Sequence, residues 1–270
     1  MTDNHFFVVS CFGDGELEKS TFLKKGWCHL YKKGDRCDHH MANDLRVSYI
    51  DNVGYNMYSY MKFIVDNYDA LPEFMVFCKN NVFPRHVRRD VFVDQAFRKV
   101  FTCIEDPSTW DLKYPNAMLS SDNGFMELNT SWYTNYHPTR YFSDFNEFYQ
   151  FIFEHKNPPR YLRFAPGGNY TVPREHVLLR SRSFYKNLMN FVSHHQFSGE
   201  SHMLERALYI IWNSTVRESI EMKTPLGEQE LLELKRMSDG KNISPVRRAR
   251  LRSYTELTRV VDFSTGRLFD

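Results

Sequence analysis

The sequence predicts an α/β fold: a mostly parallel sheet flanked by helices in a single domain, with a C-terminal helical and basic appendage. Three observations carry this. A β-branched and aromatic run at residues 6–11 (FFVVSC) ends in the turn Phe12-Gly13-Asp14-Gly15. Apolar residues then recur at helical spacing from Met57 to Tyr68, and a continuous apolar run follows at residues 74–78 (FMVFC). Strand, helix and strand in this order imply a βαβ unit, whose strands are parallel.

The first strand and its Gly/Asp loop have the form that opens many α/β domains, where that loop meets ligand. A second strand fits residues 28–31, stopped by Lys32-Lys33-Gly34-Asp35, and a third fits residues 46–50. Met57, Tyr60, Met61, Ile64, Val65 and Tyr68 make one helical stripe, Asn52 is a suitable cap, and Pro72 ends the helix. The run at 74–78 is apolar throughout, as in a strand covered on both faces. From residue 80 to about 140 the pattern weakens to one helix over 90–101 and turn-rich sequence. Asp144 and Glu147 form a capping box for a helix with Phe145, Phe148, Tyr149 and Ile152 inward. Pro166-Gly167-Gly168-Asn169 makes a turn before a short strand. Phe184, Leu188, Phe191 and Val192 mark another helix, and Ser198 caps the next, with Leu204, Ala207, Leu208, Ile211 and Trp212 inward. An acidic helix follows Gly227, then a polar and basic end. This places an α/β domain at residues 1–222 and an extension packed on it at 223–270.

With 42% apolar and 25% charged residues, the 270-residue chain is not a disordered one. No run reaches the roughly 18–20 apolar residues of a membrane span. The first residues lack the basic flank and longer apolar stretch of a secretory signal, so a cytoplasmic protein is expected. The net charge of +2 does not call for a nucleic-acid partner, although Arg247, Arg248, Arg250 and Arg252 crowd one segment after Glu228, Glu230 and Glu233. Cys11, Cys28, Cys37, Cys78 and Cys103 form no C-x-x-C pair and are odd in number, which argues against a disulfide framework. The four N-x-S/T sequons, at Asn129, Asn169, Asn213 and Asn242, carry little weight without an export signal. Aromatic residues reach 16%, which reads first as core packing and second as a platform for sugars or bases.

The common phosphate-loop, dinucleotide, zinc-protease and serine-hydrolase signatures are absent. Cys28-His29 and Cys37-Asp38-His39-His40 contain metal-ligand types, but not at finger or ribbon spacing. Lys32, Lys33, Arg85, His86, Arg88 and Arg89 follow predicted strands, where cations could hold a diphosphate or simply face solvent. Glu200 falls in the first turn after Ser198, on the face of the apolar stripe. It suits either helix-dipole stabilisation or a general base. Glu205 and Arg206 point to other faces and could as easily form a surface pair.

The segments VVSCFGDGELE, LYKKG, NVGYNMYSYMKFIVDNYDALPEFMVFCKNN, APGGNYTVPREHVLLRSRSFYKNL and ESHMLERALYIIW together resemble a domain of unknown function found in fungi and bacteria. That domain is similar to small nucleotide-sugar glycosyltransferases of the GT-A type, inverting ones from large algal viruses among them. The resemblance spans residues 6–213 and implies a GT-A-like, Rossmann-like sheet. It implies transfer of a sugar from a nucleoside-diphosphate donor (UDP- or GDP-type, UDP-xylose-like donors included) to a glycan or glycoconjugate hydroxyl. By position, Cys11, Phe12, Gly13, Asp14, Lys33, Asn52, Gly54, Lys79, Asn80 and Arg85 would lie near the donor. Gly167, Gly168, Asn169, Arg174 and His202 would border the acceptor, and Glu200 would match the residue that deprotonates it in an inverting reaction. Where such enzymes carry Asp-x-Asp, this chain reads Cys78-Lys79-Asn80-Asn81. No tightly bound metal is therefore expected; Asp90 and Asp94 remain candidates if a divalent cation (Mn or Mg) is used.

Two other classes stand beside this reading: a nucleic-acid-binding protein using the C-terminal arginines, and a non-catalytic carbohydrate-binding module.

Overall fold

In the computed structural model, the residues described are 4–13, 15, 17, 20, 23, 27–34, 46–84, 86–106, 108, 117–119, 124–130, 138–239, 261–262 and 267–268. The first strand, β1 (His5–Cys11), lies between β2 (Cys28–Lys33) and β4 (Phe74–Lys79), and β3 (Arg46–Ile50) sits outside β2; all four are parallel. Two antiparallel steps complete the sheet, from β4 to β9 (Tyr170–Pro173) and from β9 to β5 (Thr102–Cys103), giving the order β3-β2-β1-β4-β9-β5. A second, antiparallel sheet is formed by β6 (Ala117–Leu119), β7 (Phe125–Leu128) and β8 (Tyr161–Phe164). A short antiparallel pair, β10 (Val261–Asp262) and β11 (Arg267–Leu268), lies near the C-terminus. The whole is a mixed α/β single domain with a mostly parallel six-stranded sheet flanked by helices.

Alternation along the strands divides the interior in two. Val8, Tyr31, Met75, Phe77, Tyr170 and Val172 face the larger core. That core is built with α1 (Tyr55–Asn67), α3 (Phe145–Ile152), the single turn α4 (Arg174–Val177), α5 (Arg182–Val192) and α6 (Gly199–Asn213). Phe7, Val9, Leu30, Val76 and Cys78 face the smaller core against Phe92 and Ala96 of α2 (Arg89–Ala96). The strand at Phe74–Lys79 is thus covered on both faces, which explains its unbroken apolar run. Leu231 and Leu234 of α7 (Glu228–Asp239) pack on the larger core.

Several boundaries depart from the sequence reading. The second strand does not stop at its lysines: Lys32 and Lys33 are in the strand and buried. Helix α1 starts from Gly54 rather than Asn52, because Gly54 (φ 61°) and Tyr55 (φ 46°) turn the chain through left-handed conformations first. The helix expected over 90–101 ends at Ala96, and the residues beyond it supply a strand, Thr102–Cys103. Ser198 does sit at the cap of α6, but its hydroxyl bonds Val192 O and Ser201 Oγ instead of a helix N–H. The Asp144 cap is as expected: its carboxylate accepts from Glu147 N at 3.0 Å, while Glu147 reaches back to Ser143 N at 2.9 Å. Cys11, Cys28, Cys78 and Cys103 are buried and in no disulfide among the described residues. Among the described residues no helix is long and apolar enough to cross a membrane.

Trp212 joins the layers. Its indole stacks on Phe77 (centroids 5.0 Å apart, 13° between planes) and meets the edge of Tyr170 at 5.4 Å. Trp212→Ala is expected to lower unfolding stability by about 3–5 kcal/mol, read from urea midpoints.

Candidate functional site

Strand direction selects one edge of the sheet. β1 leads to β2 and β3 on one side, and the chain then returns to lay β4 on the other side of β1. Open α/β sheets bind ligand where the order reverses, outside the carboxyl ends of the strands. Here that place lies between the loops after Cys11 and Lys79. Asn80 joins them: its N–H donates to Ser10 O at 3.0 Å and its Nδ2 to Gly13 O at 3.3 Å. Gly13 holds φ 70°, a left-handed turn that favours glycine, and Phe12 beside it is 44% exposed. Cys11 is buried beneath this edge.

Lys33 ends the next strand over. Its ammonium donates to Val53 O at 2.6 Å and to Tyr55 O, and lies 5.8 Å from the Tyr58 ring centroid. These carbonyls belong to the segment that carries Asn52 and Gly54 into α1. Burial, and then the charge of Lys79, push the Lys33 ammonium down to about 7. The same segment is held from the other side, where Gly54 N donates to His195 O at 2.9 Å and Tyr55 N to Gln196 O at 3.2 Å. A side chain at Gly54 would meet Val192 O at 2.9 Å, so the close approach of α1 and α5 also requires glycine there.

The Pro166-Gly167-Gly168-Asn169 turn reaches the same edge. Gly167 and Gly168 take φ 78° and 64°, which lets the backbone present polar groups to three neighbours. Gly167 O accepts from Asn56 Nδ2 at 2.7 Å, and Gly167 N donates to Glu205 Oε1 at 2.6 Å. Asn169 Oδ1 accepts from Lys79 N at 3.2 Å, and Asn169 O from Ile104 N at 2.9 Å. Glu205 Oε2 accepts from Arg206 at 2.8 Å and lies 3.8 Å from Nδ1 of His202. Burial works against ionising Glu205, but Arg206, His202 and Lys79 outweigh it and hold the carboxyl well below the usual range. His202 packs its ring edge-on to Tyr55, with centroids 4.8 Å apart.

Lys33, Asn52, Gly54, Lys79, Asn80, Gly167, Gly168, Asn169 and His202 therefore gather around one edge. Glu200 lies two residues before His202, in the first turn of α6, and is fully buried. Its Oε1 accepts from the N–H groups of Arg140 (2.6 Å) and Tyr141 (2.7 Å), and its Oε2 is 2.9 Å from His194 Nε2. Together with the Gly199 N–H bond to Pro138 O (2.8 Å), this carboxylate fastens residues 138–141 to the helix start. Arg174 goes elsewhere. It follows Pro173, which pairs with Phe74 at the opposite end of β4, about 17 Å along the strand from Lys79. Its guanidinium donates to Leu71 O at 3.2 Å. Asp90 and Asp94 are exposed on α2, beside Arg88 (3.7 Å) and Arg98 (2.5 Å). Among the described residues no group of three or more His, Cys, Asp or Glu could hold a metal ion. Asp14, Arg85, residues 37–40 and the C-terminal arginines lie outside the described residues.

Sequence reasoning missed Glu205, Arg206, Asn56 and Tyr55. Arg206 is not a surface residue: its Nε donates to Glu127 at 2.9 Å and its guanidinium lies 4.4 Å from the Phe164 ring centroid. The i, i+3 spacing of His202 and Glu205 was the available signal, since it puts both on one helix face. Nothing local announced Asn56, which acts through a turn far along the chain.

The chain belongs to the family described as "Protein of unknown function (DUF3431)", which matches residues 24–225. No curated protein matches it.

Glu200→Ala strands the buried Tyr141 N–H, at about 1–3 kcal/mol, and the half-buried Arg140 N–H at less. It is expected to lower the urea midpoint and to speed amide exchange at Arg140 and Tyr141, changes that intact protection at those amides would contradict. Lys33 carries a second expectation. Its ammonium loses its proton at about 7 in the folded chain against 10.5 ordinarily, so between those values the unfolded state holds more protons. Stability should therefore rise with pH across that window. Lys33→Met should remove the rise, measured as the difference in urea unfolding between about pH 7 and about pH 10.

Proposed function

We propose that this protein is a glycosyltransferase that moves a sugar from a nucleoside diphosphate to a hydroxyl of a glycan or glycoconjugate. The observation that carries the reading is the pair Lys33 and Lys79 at the carboxyl edge of the parallel strands, flanking the point where strand order reverses. A diphosphate there would meet Lys79 and favour the charged form of Lys33, which burial brings down to about 7, and the two would stabilise the charge that grows on it as it leaves. Phe12 and Gly13 lie over the same point, an exposed ring beside an open backbone turn that could receive the nucleoside. The resemblance of residues 6–213 to a domain similar to GT-A-type enzymes points to the same reading.

The acceptor would approach from α6 and the glycine turn, with Gly167, Gly168, Asn169 and His202 closest. Glu200, with three donors on its carboxylate, fits best as the group that fixes residues 138–141 beside that approach. In this reading the two lysines would supply the neutralisation that a divalent cation gives elsewhere.

UDP or GDP, supplied at about 100 times its Kd, should raise the melting temperature by roughly 5–10 °C. Lys79→Ala should abolish that rise with little change in the unliganded melting temperature. Salt-sensitive binding of RNA or DNA, with no response to any nucleoside diphosphate or its sugars, would overturn the reading in favour of a nucleic-acid-binding protein.

A further inference from the structure

We infer that Arg140 binds a carboxylate or phosphate carried by the acceptor, which makes the acceptor an acidic sugar. The acceptor's role rests on the transferase reading above, whereas the anion site can be tested without it. Among the described residues Arg140 makes no ion pair, and its side chain gives no hydrogen bond to the protein. A guanidinium carries only donors and never loses its charge, so an arginine left this way is ordinarily a loose, solvated surface chain. Arg140 is not loose. It is partly exposed: its Nε is sealed from water, and its two terminal nitrogens reach solvent.

Both ends of this side chain are fixed. At its root, the N–H groups of Arg140 and Tyr141 donate to the same Glu200 oxygen, at 2.6 and 2.7 Å. At its tip, the guanidinium carbon lies 5.6 Å from the Tyr141 ring centroid. His194 meets that ring edge-on, with centroids 5.8 Å apart, and its Nε2 is 2.9 Å from the second Glu200 oxygen. Glu200, His194 and Tyr141 thus form a closed clasp, and what the clasp aims outward is a cation.

Two other ring-backed arginines show the contrast. Arg180 lies over Phe153 and Arg206 over Phe164, yet Arg180 donates to Ile210 O and Ser214 O, and Arg206 to Glu127 and Glu205. Those two cross-link the fold. Arg140 has the same aromatic backing with its donors unspent, and a sealed N–H without an acceptor costs stability. Such a group suits a ligand anion that arrives end-on and takes both terminal nitrogens. Its place says which ligand. Pro138 O accepts from Gly199 N, so the clasp lies at the start of α6, on the acceptor side of the lysine edge in the reading above. Phe197, two residues before Gly199, presents an exposed ring there. An acidic pyranose offers an anion to the one and an apolar C–H face to the other. Lys33 and Lys79 remain for the donor diphosphate.

The test is an NMR titration of the nitrogen-15-labelled full chain, read at the Nε–H signal of Arg140, which is identified by its absence from Arg140→Gln. Glucuronic acid and mannose 6-phosphate are added at constant ionic strength up to about 50 mM, with glucose and mannose as neutral controls. At least one acid should move the signal saturably, the two arms telling carboxylate from phosphate, and the neutral sugars should not. Arg140→Gln should weaken that acid's binding by about 10-fold or more, followed at the Tyr141 and Gly199 amides. Arg140→Lys, which keeps the charge but loses the planar fork, should lose most of the same affinity. The melting temperature of unliganded Arg140→Gln should stay within about 2 °C of wild type, because the side chain cross-links nothing. No saturable shift with either acid, an equal shift with the neutral sugars, undiminished binding by Arg140→Gln, or a fall of several degrees in its melting temperature would each overturn the assignment. A signal that answers to UDP and to neither acid would overturn it as well, giving Arg140 to the donor. The transferase reading fails separately, if UDP and GDP leave the melting temperature unchanged; an Arg140 that still answers to the acids then stands as an anion site and loses only its acceptor role.

Discussion

A negative charge nearly sealed from water, on Glu205, is the constraint from which most of the edge follows. An ionised carboxylate in such a place is costly unless every oxygen is met by donors or cations. Gly167 N–H, Arg206, His202 and Lys79 meet it, drawn from the glycine turn, from α6 itself and from the end of β4. Gly167 can reach it only because two successive glycines accept left-handed turns. Arg206 in turn needs Glu127 of the second sheet, which ties β7 to α6. The glycine turn returns through Asn169 to the backbone of Lys79. One buried charge thus fixes the helix, the turn and the end of β4 relative to one another, and removing any one partner leaves the others poorly matched.

The apolar interior supplies the rigid frame. The high aromatic content goes mainly into packing: Phe142, Phe148, Phe151 and Phe191 meet one another edge-on or tilted, and Trp212 bridges Phe77 and Tyr170. Edge-to-face pairs of this kind add to the area each ring buries. The exceptions are informative. Phe12, Trp27, Tyr49 and Phe197 stay exposed, Phe12 at the strand-order reversal and Phe197 against Tyr55.

Elements whose cause is local could be read from sequence. The runs at His5–Cys11, Arg46–Ile50 and Phe74–Lys79 are rich in β-branched and aromatic residues, and the Asp144 capping box fixes the start of α3 within four residues. Elements whose cause is distant could not. Lys32 and Lys33 look like a strand stop because lysine is rarely buried, yet Lys33 is satisfied by carbonyls 20 and 22 residues ahead. Glu205 finds Gly167 across 38 residues, and no spacing within α6 reveals it. The positions that the resemblance singles out include Arg174, which lies at the far end of β4 from Lys79. A turn motif shows which residues adjoin in sequence, not which end of an antiparallel strand they occupy.

The start of α1 shows how the two halves of the edge are joined. Tyr55 holds a left-handed conformation, which is unfavourable for a residue with a side chain and persists only where neighbours enforce it. Lys33 enforces it from the sheet through the Tyr55 and Val53 carbonyls, and Gln196 O from the α5–α6 loop through the Tyr55 N–H. That loop leads directly into Ser198 and Glu200, and Glu200 fastens residues 138–141. An anion arriving beside Lys33 and Lys79 would compete with those carbonyls for the ammonium, because a phosphate oxygen is the stronger acceptor. Whatever binds at the strand ends therefore acts on the segment that seats α6, so the two halves of the edge share one mechanical link through Tyr55.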